Sequence, residues 1–225
     1  MITSLPFVPA AEAAYIGGVS AAQMNRLVDE ELVPSSLFRK ENGARTVARL
    51  MAAYANFFFA TDAVLLAAAR KQVLADVTAR LEQSQVRDQL FALQFVSDAA
   101  IDWTVATPGR GVVIDIWGYV CEAASRAREV DNAGKLILED PEVMGGVPCF
   151  AGTRVPIEHV LASIQAAIDP LRLQLAYPFL TPAHIEAAQI FYDAHPRRGR
   201  PRRLNDIHPA EPLKRGQRML KKRLP

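Results

Sequence analysis

Residues 9–33 read PAAEAAYIGGVSAAQMNRLVDEELV. The alanine-rich stretch over residues 9–16 predicts a short helix, which Gly17 and Gly18 end. Ser20 is placed as the N-cap of a second helix over residues 21–31. That helix carries one apolar stripe, formed by Met24, Leu27, Val28 and Leu32. Two short helices joined by a glycine-containing turn predict a helix-turn-helix.

The chain after this unit alternates helical and strand-like signals. Residues 36–39 predict a strand and residues 41–43 its turn, which together would form a small wing. Helices are expected over residues 45–59, 61–83 and 117–128, and Thr61 is the expected N-cap of the second. Short strands are expected over residues 89–96, 100–106 and 111–116.

The C-terminal third predicts a second, mainly helical unit. A strand over residues 136–138 precedes a turn at Gly145-Gly146. Thr181 supplies an N-cap and Pro182 the first position of a helix that runs to residue 194. Two further helices are expected before it, over residues 157–167 and 170–176. With their tight connections, these three helices again fit a helix-turn-helix.

The expected fold is therefore mostly α with small β elements. It comprises two helix-turn-helix, winged-helix-like units and a basic C-terminal tail. Residues 1–90 are predicted to form a helix-turn-helix and helical region, and residues 91–135 a mixed connecting region. Residues 136–194 are predicted to form a winged-helix-like domain, and residues 195–225 the tail.

The net charge of +2 hides a strong asymmetry. Residues 195–225 carry a net charge of +9, whereas residues 1–194 carry −7. A basic tail of this kind binds phosphate or a carboxylate-rich surface. We expect the tail to have no fixed structure before it binds a partner.

Composition excludes several functional classes. No apolar run approaches the roughly 20 residues of a membrane span, and the N-terminus lacks the pattern of a secretory signal. Two cysteines, Cys121 and Cys149, are too few for a disulfide framework and predict reduced thiols in a cytoplasmic protein.

No catalytic or metal-binding pattern stands out. The acidic residues beside the Gly145-Gly146 turn are interpreted as a solvated loop, and the turn lacks the lysine of a phosphate-binding loop. The histidines lack metalloprotease spacing; they are His159, His184, His195 and His208. We therefore expect no enzyme activity, no cofactor and no metal site.

Three ordered motifs carry a resemblance to a known family. They are DPEVMGGVP at residues 140–148, GTRVP at 152–156 and YPFLT at 177–181. The segment resembles a domain-of-unknown-function family of VapB-like antitoxins, which act next to PIN-type ribonuclease toxins. The resemblance implies a winged-helix-like domain, a cytoplasmic location, binding to the operon's own promoter and toxin neutralisation by the C-terminal region. Cys149-Phe150 stands where the family commonly has aliphatic residues, which affects packing more than function.

Residues 7–33 resemble a MerR-like helix-turn-helix, and the two resemblances together suggest a longer, two-headed antitoxin. Side chains opposite the apolar stripe are of types that read base edges in the major groove. The expected DNA contacts of this unit are Ser20, Ala22, Gln23, Asn25 and Arg26. In the second unit the exposed face is expected to contain Ala183, His184, Glu186, Ala187 and Asp193. Because that face has no Lys or Arg, we expect this unit to dimerise or brace rather than read DNA.

Arg154, in the second motif, has two interpretations. One is an internal ion pair with a carboxylate such as Asp140, which would order the turn. The other is a DNA phosphate contact, and Arg154 is kept among the candidate DNA contacts.

The tail also has two interpretations. Residues 196–203, PRRGRPRR, resemble an AT-hook, in which Arg198, Gly199 and Arg200 would follow an A·T minor groove. Alternatively, the tail captures the toxin, because an inserted arginine can occupy an acidic metal pocket. The candidate toxin contacts are Arg202, Arg203, Leu213, Arg215, Arg218, Met219 and Leu220.

The sequence thus predicts a non-enzymatic antitoxin of a type II toxin–antitoxin system. Its expected partners are a PIN-type ribonuclease toxin, promoter DNA and a second copy of the chain, so that two half-sites can be engaged. The alternatives are a stand-alone transcription regulator whose tail serves only DNA, and a purely structural interaction module.

Overall fold

A computed structural model describes residues 6–41, 44–94, 97, 99–106 and 111–196. The helices of this part are α1 Ala10–Gly17, α2 Ala21–Asp29, α3 Met51–Ala60, α4 Ala67–Glu82, α5 Arg87–Phe91, α6 Trp117–Leu136, α7 Ile157–Gln165, α8 Pro170–Ala176 and α9 Pro182–Ala194. The strands are β1 Phe7–Pro9, β2 Phe38–Glu41, β3 Ala44–Ala48, β4 Thr104–Ala106, β5 Val113–Asp115, β6 Ile137–Leu138 and β7 Cys149–Phe150. The predicted class, mostly α with small β elements, is confirmed.

A three-stranded antiparallel sheet flanks α1 and α2. Its order is β1-β3-β2, and Val47 lies opposite both Val8 and Phe38. A β2–β3 hairpin is present, although its first strand begins at Phe38 after a 3-10 turn and runs to Glu41. Residues 42 and 43 of the predicted turn lie outside the described residues. The helix predicted from residue 45 is wrong at its start: β3 occupies residues 44–48 and α3 begins at Met51. Pairing with strands on both sides outweighs the local helical composition.

Two further predictions are wrong for residues between α3 and α5. Thr61 does not begin a helix; its hydroxyl donates to the carbonyl oxygen of Phe57 at 2.7 Å, and α4 starts at Ala67. The strand expected from residue 89 is instead the short helix α5. Its Leu90 and Phe91 are both buried, although they are neighbours in sequence. The apolar composition was read correctly, but short apolar runs do not distinguish helix from strand.

The first hydrophobic core is built by α1, α2, α3, α4 and α6 with the sheet. α6 begins as predicted at Trp117 and continues to Leu136. β4 and β5 form an antiparallel hairpin inside the two predicted strand regions. The turn predicted between them falls at residues 107–110, which lie outside the described residues.

Gly17 lets α1 approach α3 closely. A β-carbon at this position would lie 2.6 Å from the carbonyl oxygen of Ala52, which is backbone and cannot move aside. We expect Gly17→Ala to lower the free energy of unfolding by about 1–3 kcal/mol through overpacking. Urea denaturation followed by circular dichroism measures this loss.

Gly134→Ala on α6 is the matched control, because a β-carbon there meets nothing within 4 Å. It should leave stability unchanged or raise it by about 0.5–1 kcal/mol, as Gly→Ala does within a helix. Equal losses in both variants would show that the contact between α1 and α3 tolerates a side chain.

The second core, formed by β6, β7, α7, α8 and α9, lies in the C-terminal part. α8 has the predicted bounds, and Thr181 caps α9 with Pro182 at its first position. The Thr181 hydroxyl accepts a hydrogen bond from the backbone N–H of His184 at 3.4 Å. Local capping and turn signals were therefore sufficient to place these helices.

The two cores meet along α6 and α9. α9 packs against α6 and α1, and Ala194 at its end belongs to the first core. Ala133 on α6 belongs to the second. α6 therefore supports both parts, and the four predicted segment boundaries stay a prediction. None of the helices in the described part has the length and apolarity to cross a membrane.

Candidate nucleic-acid interface

The N-terminus of α2 is capped by side chains of its own first turn. The backbone N–H of Gln23 donates to Ser20 Oγ at 3.1 Å, and Gln23 Oε1 accepts from the backbone N–H of Ser20 at 2.8 Å. The Ser20 hydroxyl also lies 3.0 Å from Gln23 Oε1. Ala22, between them, is exposed. Two predicted DNA contacts, Ser20 and Gln23, thus form a capping box that positions the helix.

The other two predicted contacts on α2 have intramolecular partners. Asn25 Oδ1 accepts from Arg45 Nη1 at 3.5 Å, and Arg26 Nε donates to Glu30 Oε1 at 2.8 Å. More than half of the Arg26 side-chain surface is exposed, so breaking its ion pair costs little free energy. Arg26 is therefore accessible to a phosphate or a guanine edge at little cost.

Arg45 on β3 links the β2–β3 hairpin to α2 through an ion pair. Its guanidinium makes two contacts with the Asp29 carboxylate, Nη2 to Oδ1 at 2.8 Å and Nη1 to Oδ2 at 3.0 Å. The hydrogen bond from Arg45 holds the pKa of Asp29 below its usual range. A bidentate pair fixes orientation as well as distance, so the hairpin and α2 present one continuous surface.

Two cations on this hairpin were not predicted as DNA contacts. Arg39 and Lys40 on β2 are exposed, and the Arg39 guanidinium lies 4.0 Å from the centre of the Phe7 ring. In the sheet, Lys40 lies opposite Arg45. The signal was the pair of basic residues directly before the predicted hairpin turn.

Arg154 lies in the turn between β7 and α7. Its side chain is exposed, and the salt bridges of the described residues do not include a pair with Asp140. Asp140 Oδ1 instead accepts the backbone N–H of Glu142 at 2.9 Å. The predicted internal ion pair is therefore wrong. Thr153 orders the turn, donating to the Phe150 carbonyl at 2.9 Å and accepting from the Val155 N–H at 3.1 Å.

The exposed face of α9 carries acids, as the sequence indicated. Ala183, Glu186 and Asp193 are exposed, whereas Ala187, expected on the same face, is buried. The ring of His184 contacts Phe150 and Phe179 edge-on, so His184 is a packing residue. The remaining candidate contacts lie outside the described residues; they are Arg198, Gly199, Arg200, Arg202, Arg203, Leu213, Arg215, Arg218, Met219 and Leu220.

A buried ionic cluster lies where α1, α6 and the end of α9 meet. Arg49 Nη2 lies 2.7 Å from Glu12 Oε1, and Arg49 Nη1 lies 2.8 Å from Asp131 Oδ1. His195 Nε2 lies 3.3 Å from Glu12 Oε2. Glu12 and Arg49 are only 5% and 6% exposed, so neither charge is solvated by water. The cluster joins the end of the C-terminal part to the first helix of the chain.

The electrostatics of this cluster favour the charged forms of Glu12 and His195. Burial raises the pKa of Glu12, but the hydrogen bond from His195 and the charge of Arg49 outweigh it, so the pKa is lowered. Burial lowers the pKa of His195, but its hydrogen bonds to Glu12 and to the Phe191 carbonyl outweigh it, so the pKa is raised. Both ring nitrogens face acceptors, which the imidazolium form satisfies best.

Sequence reasoning missed this cluster. The signal was a charged residue inside an apolar run, Arg49 within VARLMAAYANFFF at residues 47–59. Such a residue is buried only when it is paired. Its partners, however, are 37 and 82 positions away, and no local pattern connects them.

The described residues offer no grouping of three or more His, Cys, Asp or Glu side chains that could hold a metal ion. Neither Cys121 nor Cys149 forms a disulfide, and burial raises the pKa of the Cys149 thiol. A thiol with a raised pKa is a poor nucleophile and a poor metal ligand.

Comparison with known proteins shows what parts of the chain are similar to. A family described as "Protein of unknown function (DUF433)" matches residues 137–192, which span β6 to α9. The uncharacterized protein y4eO of Sinorhizobium fredii is 29% identical over 198 residues, covering 88% of this chain and 86% of that protein. No solved structure matches the chain. Residues 137–192, called the DUF433 region below, are thus similar to that family, and the similarity to y4eO extends well beyond them.

Proposed function

We propose that the protein is the antitoxin of a type II toxin–antitoxin system, which binds its promoter DNA and neutralises a PIN-type ribonuclease. The DNA-binding part of the proposal rests on one observation, the surface that α2 and the β2–β3 hairpin form where Arg45 pairs with Asp29. A helix beside a basic hairpin is the arrangement of a winged helix-turn-helix.

Cations and small polar groups line this surface. Lys40 and Arg39 on the hairpin are positioned for backbone phosphates, and Arg26 is available for a base edge. Acidic Asp29 is already paired with Arg45, which reduces its repulsion of phosphate. Arg154 remains a candidate phosphate contact in the DUF433 region, because its side chain is exposed.

The toxin-neutralisation part of the proposal rests on two features: the resemblance of the DUF433 region to VapB-like antitoxins, and the positive charge of the C-terminal tail. A net charge of +9 beyond residue 194 matches the acidic metal pocket of a PIN-type ribonuclease. The second candidate, a stand-alone transcription regulator, would use the same DNA-binding surface without a toxin. Co-expression with the product of the adjacent gene, followed by co-purification and a ribonuclease assay, distinguishes the two.

Lys40→Ala is expected to weaken binding to promoter DNA and to DNA of unrelated sequence by the same factor, because Lys40 would contact phosphate. One lost phosphate contact reduces the slope of log affinity against log salt concentration by about 0.9. Fluorescence polarisation with a labelled promoter fragment at several salt concentrations measures both effects.

Lys71→Ala is the matched control, because Lys71 is an exposed lysine on α4, outside the proposed surface. The control should keep the slope of the unmodified protein. If both variants bind alike, the hairpin is not part of a DNA interface.

A further inference from the structure

The largest run of exposed apolar side chains in the described residues lies on the end of α7, the turn after it and α8. Leu171 and Leu175 are 71% and 81% exposed, and Ile164 and Ile168 are 39% and 42% exposed. Leu171 and Leu175 are four residues apart on α8 and therefore share one face. Four exposed large apolar side chains within residues 164–175 are an unusual concentration for a monomeric protein, so this surface indicates a partner.

The turn between α7 and α8 is ordered. The Ile168 N–H donates to the Ser163 carbonyl at 3.1 Å and the Ala167 N–H to the Ile164 carbonyl at 2.9 Å. Ala167 has a φ of 52°, in the left-handed region that glycine usually occupies. On the other side of α8, Leu173 packs into the second core. The apolar surface is therefore carried by a well-defined segment.

The charges on this segment identify its occupant. Between residues 162 and 176 the only charged side chains are Asp169 and Arg172, both exposed and of opposite sign. A neutral apolar surface suits neither DNA, which requires a positive surface, nor a strongly basic segment, which requires a negative one. Asp169 Oδ1 accepts the backbone N–H of Leu171 at 2.9 Å, which holds the carboxylate at the rim of the surface.

Because the segment carries one exposed acid and one exposed base beside its apolar side chains, it can be self-complementary. A twofold axis through the surface would bring Arg172 of one copy near Asp169 of the other while the leucines of both copies pack together. We propose that the protein dimerises through residues 162–176, with a second copy of the chain as the occupant. The inference deepens the proposed function, since a dimer is what presents two DNA-reading heads to two half-sites.

The test uses sedimentation equilibrium of the full chain without DNA or toxin, so its outcome is independent of either activity. The variant Leu171→Glu/Leu175→Lys removes the apolar surface, keeps the net charge and places a helix-stabilising i,i+4 pair on α8. We expect the unmodified chain to be a dimer. The dissociation constant of the variant should be at least about 30-fold higher, the cost of one lost hot-spot side chain.

Leu66→Glu is the matched control, because Leu66 is also 81% exposed but lies before α4. It should leave the dimer intact. The inference is overturned if the unmodified chain is monomeric, if the Leu171→Glu/Leu175→Lys variant still dimerises, or if Leu66→Glu dissociates the dimer equally. A dimer that dissociates in about 0.5 M salt would also overturn it, because that dependence indicates the basic tail as the occupant.

Discussion

Replacing Arg49 with leucine is expected to lower the free energy of unfolding by about 3–5 kcal/mol, the cost of removing one partner of a buried ion pair. Glu12 would keep its buried carboxylate but lose two hydrogen bonds from the guanidinium, at 3.1 and 2.7 Å. Asp131 would lose the cation 2.8 Å away. Urea denaturation at neutral pH, followed by circular dichroism, measures the change.

Arg45→Leu provides the matched control. Arg45 also pairs with a carboxylate at 2.8 Å, but the side chains of Arg45 and Asp29 are 33% and 51% exposed. Breaking this solvated pair should cost at most about 1 kcal/mol. If the two substitutions cost the same, the buried cluster does not stabilise the fold.

A double substitution distinguishes the stability that the ion pair contributes from the cost of leaving one buried charge without its partner. Glu12→Leu/Arg49→Leu removes both buried charges, and replacing a buried ion pair by apolar side chains is often neutral or stabilising. The double variant is therefore expected to be more stable than Arg49→Leu alone. A further loss of stability would instead show that Glu12 is held mainly by His195, 3.3 Å away.

Removal of residues 197–225 is expected to abolish toxin neutralisation while the body stays folded. The missing segment contains every Lys and Arg of the basic tail, and the two hydrophobic cores of the described residues lie in the chain that remains. If capture of an acidic pocket by arginine is the inhibitory contact, no inhibition should remain. A ribonuclease assay with the co-purified toxin measures the loss, and a melting curve checks the body.

Two controls make this result specific. Cutting after Ala194 instead also removes His195, which pairs with buried Glu12, so this shorter chain should melt at a lower temperature than the chain cut after Pro196. Arg202→Gln/Arg203→Gln in the full chain should weaken inhibition without changing the melting curve. Full inhibition by the chain cut after Pro196 would refute toxin capture by the tail and favour a stand-alone regulator.

Elements that depend on neighbouring residues were predictable. Ser20 and Thr181 were assigned as N-caps from their place before helical stretches, and both accept the expected backbone hydrogen bonds, whereas Thr61, assigned in the same way, does not begin a helix. Gly18 ends α1 with a φ of 63°, which glycine adopts without strain. Caps and turns act over three or four residues, so their signals are complete within a short stretch of sequence.

Elements that depend on distant partners were not predictable. Residues 45–48 have helical composition, yet they form the central strand of a sheet because β1 and β2 bond to them from both sides. One of the two interpretations of Arg154 was an ion pair with Asp140, but that carboxylate accepts a hydrogen bond within its own turn. Sequence distance is a poor guide to which charges meet.

The amino-acid sequence was enough to specify a mostly helical chain, the start of α2 and α9, and the separation of an acidic body from a basic tail. Each follows from local backbone preferences or from a simple count of charges. Tertiary packing was needed to join α2 to the hairpin through Arg45 and to bury Glu12 with Arg49. It was also needed to leave the leucines of α8 exposed. These features depend on which surfaces meet after folding, and burial sets the strength of an ion pair or the cost of an exposed leucine.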